Sequence, residues 1–280
     1  LRQCLTLDCL FVFSPKATMV QQSVASRGQS ISAMIDEEKL KDALHFLHSV
    51  FTLLARNKHY KLMLASNSSV LDFEMRTAIW ACEVAKMIQA FGGNVIGFGS
   101  SNLLPPSDLF DLIHTRVLPY DKRDWSAFYK NAYEYLKPGG WLEQEALNLT
   151  VLYSDAVKPP NSYLETLARE RHKTAENDER YLEFEITEAL LKNAGFTNIE
   201  KDTIKLPTHL WEESDHERRH LGCAFNIVLQ FLLKTGEYAL PGLGLRPLDL
   251  NEILTKIHKS GSRASCTLVV WTAEKPWRDV

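Results

Sequence analysis

Two short stretches carry residue types that could do chemistry. His114, Arg116 and Tyr120 follow one apolar run, and Trp141, Glu143 and Glu145 alternate along another. An imidazole titrates near neutral pH, so His114 is a candidate general acid or base. The planar fork of Arg116 suits a carboxylate or an enolate oxygen. Glu143 adds a carboxylate to this candidate catalytic set, and Glu145 and Tyr120 are candidate substrate contacts. Trp141 offers a face for a flat, polyketide- or indole-like ring. Each has a structural alternative: His114 satisfying a backbone group, Arg116 paired with Asp111 or Glu143, Trp141 in the core, and Glu143 capping a loop.

The elements that must position these residues follow from periodicity. Ser69–Phe73, Asn94–Phe98, a run from Phe110 to His114 and a run from Trp141 read as short buried strands. Between them, 77–91 and 124–136 read as helices, with Gly92-Gly93 closing the first and Lys137-Pro138-Gly139-Gly140 turning after the second. Leu40, Leu44, Leu47, Phe51 and Leu54 mark an earlier amphipathic helix. Later, 161–193 and 211–234 read as helical, an edge strand runs from Gly195-Phe196 to Ile204, and Thr267–Trp271 reads as a last strand. Strands alternating with helices predict an α/β fold, a doubly wound, mostly parallel sheet with helical additions.

Composition narrows the classes. With 280 residues, 45% of them apolar, the chain can bury a full core without disulfides or metals. A net charge of -3 leaves no basic excess for nucleic acid. The five cysteines lack any C-x-x-C pairing, which predicts free thiols, a reducing cytoplasmic setting and no metal. His209, His216 and His220 with Glu212, Glu213 and Glu217 lack an H-E-x-x-H pattern and read as a solvated helix face. No apolar run reaches membrane-spanning length. Residues 1–35 read as a flexible or non-native lead-in and 36–280 as the folded domain, with cap insertions around 155–193 and 211–260.

Several blocks, in order, resemble the LaeA-like fungal methyltransferases of class I. Phe110-Asp111-Leu112-Ile113-His114-Thr115-Arg116 is similar to that family's "FDxIHxR" strand. Residues 132–143, AYEYLKPGGWLE, are similar to its turn and following strand. Asp124-Trp125, Ala194-Gly195-Phe196, Lys205-Leu206-Pro207 and Trp211 fit further blocks, so the resemblance covers roughly residues 36–276. It implies a Rossmann-like fold, a setting in secondary metabolism, a small-molecule substrate without nucleic-acid or membrane partners, and room for a homo-oligomer.

The cofactor loop departs from the family. Where the family has "VLDxGxGxGxW", this chain reads Val70-Leu71-Asp72-Phe73-Glu74-Met75-Arg76-Thr77-Ala78-Ile79-Trp80. Glu74, Arg76 and Ala78 replace three glycines that let the backbone approach S-adenosylmethionine. Gly99 stands where an acidic residue would hold the ribose, and only Ser100 to Asp108 bridge to the next strand. Losing one charge-assisted ribose bond costs about 1.5–3 kcal/mol. The combined changes take micromolar affinity to roughly millimolar or weaker. The expectation is a degenerate site and no cofactor, with S-adenosylmethionine bound only if the altered loop still admits it. Three functions remain open: a repurposed enzyme doing cofactor-free cyclisation, isomerisation or proton transfer, an active methyltransferase with a rebuilt loop, and a non-catalytic regulatory or scaffolding homologue.

Overall fold

Parallel pairing begins with Ser-Val-Leu-Asp-Phe, β2 (Ser69–Phe73), whose middle three residues are buried. The computed structural model describes residues 10–13, 42, 44–52, 67–73, 78–89, 92–98, 109–119, 121–153, 181–208, 216–234 and 263–277. β2 runs parallel to β3 (Asn94–Phe98) on one side and to β4 (Phe110–Val117) on the other. β4 continues parallel to β5 (Leu136–Tyr153). Two antiparallel strands, β7 (Ala264–Glu274) and then β6 (Thr197–Pro207), complete that side. The strand order is β1-β3-β2-β4-β5-β7-β6. The chain leaves β2 toward β3 and returns to β4, so the topological switch point lies between β2 and β4, where ligands of such sheets bind.

Helices cover both faces. On one, Trp80, Ala81, Val84, Ala85 and Ile88 of α2 (Ile79–Gln89) pack on Val70, Val95 and Leu112. Further along that face, α1 (helical over 44–52) and α5 (His216–Lys234) bring Leu47, Phe51, Leu221 and Phe225 against Leu147, Cys266 and Leu268. The opposite face takes α3 (Trp125–Tyr135) and α4 (Thr187–Ala194), among a core including Leu71, Ile113 and Leu142. In α3, Trp125, Phe128, Tyr129 and Ala132 recur at three- and four-residue spacing and are buried, and Asp124 caps the helix by accepting from the Ala127 N–H at 2.8 Å.

Some boundaries differ from the sequence expectation. Leu10–Phe13, within the segment read as flexible or non-native, forms β1, antiparallel to β3. Its run of four apolar residues supplies backbone pairing to the outer edge of β3. β4 runs on to Val117, because the β-branched Thr115 and Val117 keep pairing with β5 as far as Ala146. His114 and Arg116 therefore lie within the strand, not past its end. Leu136 opens β5 instead of closing the helix before it. Residues 137–140 loop out of the ladder, since Phe110 and Leu112 pair with Leu136 and Trp141. A side chain on Gly139, which has φ +76°, would enter the Trp277 ring, and one on Gly140 would lie 2.9 Å from the Phe110 carbonyl oxygen. Residues 181–186 are not helical, and within the proposed cap segments only 181–193 and 216–234 are described. Among the described residues, no helix is long and apolar enough to cross a membrane.

Candidate functional site

Strand alternation sends every second residue to the same face, and the parallel register then lines up three strands. Asp72 on β2 lies opposite His114 on β4, His114 opposite Glu143 on β5, and Arg116 opposite Glu145. All five share the face covered by α1 and α2, at the switch point. His114 is 0% exposed, Glu143 1% and Asp72 6%.

The His114 ring is fixed on three sides. Its Nδ1 lies 3.0 Å from Asp72 Oδ1, and Trp80 stacks on its face at 3.6 Å with planes 6° apart. Its Nε2 faces Glu145 Oε2 at 3.4 Å and has no hydrogen-bond partner among the described residues. Burial opposes the imidazolium, but the hydrogen bond to Asp72 and the negative charges of Asp72 and Glu145 outweigh it and raise the His114 pKa. Glu145 shows the converse. Burial pushes its carboxyl upward, but the Arg116 guanidinium and His114 outweigh this and hold it at about 2.

The row continues to α1. Arg116 donates from Nε to Glu145 Oε2 at 2.5 Å and from Nη1 to His48 Nδ1 at 2.8 Å. With Nδ1 accepting, His48 donates from Nε2 to Glu83 Oε2 of α2, also at 2.8 Å. The guanidinium lies 4.6 Å from the centre of the Phe51 ring. Five elements thus meet in one chain of polar contacts. Its inner end is closed, and its outer end reaches Glu83, whose side chain is 35% exposed.

His114, Arg116, Glu143 and Glu145 lie on one face, and Asp72, which the sequence placed in the cofactor loop, joins them there. Arg116 takes Glu145, whereas Asp111 projects to the opposite face, accepts from the Ser69 N–H and binds Lys137 Nζ, both at 2.7 Å. Trp141 is half-buried and packs against the α2 cluster, opposite Leu112 and on the amino-terminal side of Glu143. Ala78 has φ +58° and heads α2, its carbonyl accepting from the Cys82 N–H at 2.8 Å. It therefore keeps a conformation suited to the glycine of the family pattern. Tyr120, Glu74, Arg76 and Gly99 lie outside the described residues, as do His209, Glu212 and Glu213. His216 and His220 are exposed on α5, with ring centres 4.2 Å apart. Sequence reasoning missed His48, Glu83 and Trp80 as parts of the site. A polar His48 between Leu47 and Phe51 on an amphipathic helix was the available signal.

A methyltransferase domain model matches residues 46–201. The chain belongs to the LaeA-like class I methyltransferase family. It is 25% identical over 275 residues to the secondary metabolism regulator LAE1 of Cochliobolus heterostrophus, covering 86% of this chain and 88% of the relative. It is likewise 25% identical over 271 residues to the methyltransferase pytC of Aspergillus terreus, covering 86% and 82%. Among solved structures, a phosphoethanolamine N-methyltransferase of Haemonchus contortus aligns with 16% identity and a TM-score of 0.44, covering 92% of this chain and 62% of that one.

Proposed function

We propose that this methyltransferase-fold protein serves secondary metabolism without using S-adenosylmethionine, acting on a small molecule by cyclisation, isomerisation or proton transfer. The observation that carries this reading is the head of α2. Ala78 occupies a family glycine position at φ +58°, and two residues later Trp80 stacks on His114 above the switch point. Ala78 puts a methyl group where the family has a glycine hydrogen, and Glu74 and Arg76 add more bulk at the other two glycine positions. Relatives named for the regulation of secondary metabolism and for methyl transfer supply the biological setting. Arg116, whose side chain is 19% exposed, is the group best suited to hold a substrate carboxylate or enolate oxygen. The protein acts inside the cell.

Titration calorimetry with S-adenosylmethionine and S-adenosylhomocysteine tests this. Neither heat nor a thermal shift at millimolar ligand is expected. Micromolar binding would overturn the reading and return methyl transfer to the front.

The full burial of His114 favours a second reading, a non-catalytic regulatory homologue in which the charged row only holds the sheet and helices together. A protein partner recovered with the chain, and no response to any acidic aromatic small molecule, would favour it over the first.

A further inference from the structure

His114, Glu143 and Glu145 present one ligand atom each, all within 4.8 Å of one another, and all three residues are buried. Three features set this cluster apart from a chance grouping of acids. First, His114 Nδ1 faces the Asp72 carboxylate, so when that nitrogen carries the proton, the Nε2 lone pair points toward the glutamates. A carboxylate behind a histidine in this way fixes the tautomer and ring orientation that metal ligation needs. Second, Nε2 is a fully buried polar atom without a hydrogen-bond partner among the described residues. Trp80 holds the ring against rotation. Third, the carboxylates of Asp72, Glu143 and Glu145 are all buried on this one face, with Arg116 bonded to Glu145. A divalent cation held by the cluster adds positive charge where buried carboxylates favour it.

We propose that His114, Glu143 and Glu145 form a buried site for a divalent transition metal, with Asp72 and Arg116 as positioning residues. One imidazole and two carboxylates favour zinc, manganese or iron over magnesium or calcium, whose sites are built from oxygen alone. Three protein ligands leave a coordination position open for water or a substrate oxygen. The metal takes the place of a proton on Nε2, and Arg116 keeps its bond to Glu145 Oε2, as ligating carboxylates are commonly hydrogen-bonded. This site stands apart from the proposed function, because none of its three ligands lies in the altered cofactor loop.

The test uses the full chain without a histidine tag, stripped with chelator and returned to chelator-free buffer. Zn2+ is titrated by calorimetry, and Co2+ by its visible d–d absorption. One equivalent per chain at micromolar affinity or tighter is expected, with Co2+ bands that shift or vanish in Glu143→Gln. Asp72→Asn should weaken binding about 10- to 100-fold while the ligand set stays intact. His216→Ala with His220→Ala should leave binding unchanged. Absence of stoichiometric binding in the parent protein overturns the site, whatever the variants do. So does binding that survives Glu143→Gln undiminished, or that disappears with the α5 histidines. Far-ultraviolet circular dichroism on Glu143→Gln separates lost ligation from lost folding.

Discussion

Along β5, Glu143 and Glu145 project toward the α1 and α2 side, while Leu142, Gln144 and Ala146 project toward α3. The two faces of one strand solve burial differently. On the α3 side, apolar contacts dominate, and the buried Gln144 side chain accepts from the Tyr129 hydroxyl at 3.0 Å, a neutral bond. On the other side, charged groups are brought together and largely buried. Burial of charge is expensive, and replacing a buried ion pair by apolar groups is often neutral or stabilising. The polar row is therefore poorly explained by stability alone.

The sharpest way to break this contrast is to remove one charge. Glu145→Ala strips Arg116 of its carboxylate and is expected to destabilise the fold by about 3–5 kcal/mol, read from urea denaturation. Glu145→Leu combined with Arg116→Met should recover most of that loss. A double variant as unstable as the single one would show that the row, not the unpaired charge, holds the helices.

Cys266 refines the comparison on the same face, beyond the charges. Lacking ionic partners, its thiol is pushed by burial from 9.0 up to about 12, the reverse of Glu145. The unfolded chain then ionises this thiol first. Its contribution to stability is complete below about pH 9 and declines by up to about 1.4 kcal/mol per pH unit as pH rises toward 12. Denaturation at pH 7 and pH 10, compared with Cys266→Ala, should show the difference narrowing at the higher pH. A constant difference would argue against it.

On the α3 face, Tyr129→Phe deprives Gln144 Oε1 of its donor, and a loss of about 1 kcal/mol is expected in the same assay. The smallest effect has the opposite sign. Ala78→Gly relieves a side chain held at φ +58° and should stabilise the protein by roughly 0.5–1 kcal/mol. A loss there would mean that the methyl group fills space the turn requires.

Particular residues show how far the sequence could be read. The bounds of β2 and β3 follow from their apolar runs, and α3 follows from Asp124 and the spacing of Trp125, Phe128 and Ala132. β1 escaped because four apolar residues in a segment with no other pattern do not announce a partner. The ends of β4 and β5 escaped because pairing with a neighbour extends strands past their apolar runs.

Within the candidate site, His114, Arg116, Glu143 and Glu145 were recognisable by type and alternation, and that alternation by itself determines that each pair shares one face of its strand. Sequence alone left open what lies across from them. Asp72 is 42 residues from His114, and His48 is 68 from Arg116. Only the parallel register and the packing of α1 and α2 bring these groups within bonding distance. Periodicity is local, set by the backbone of a single strand or helix. The partner of a buried charge is non-local, set by which strands pair and which helix closes over them.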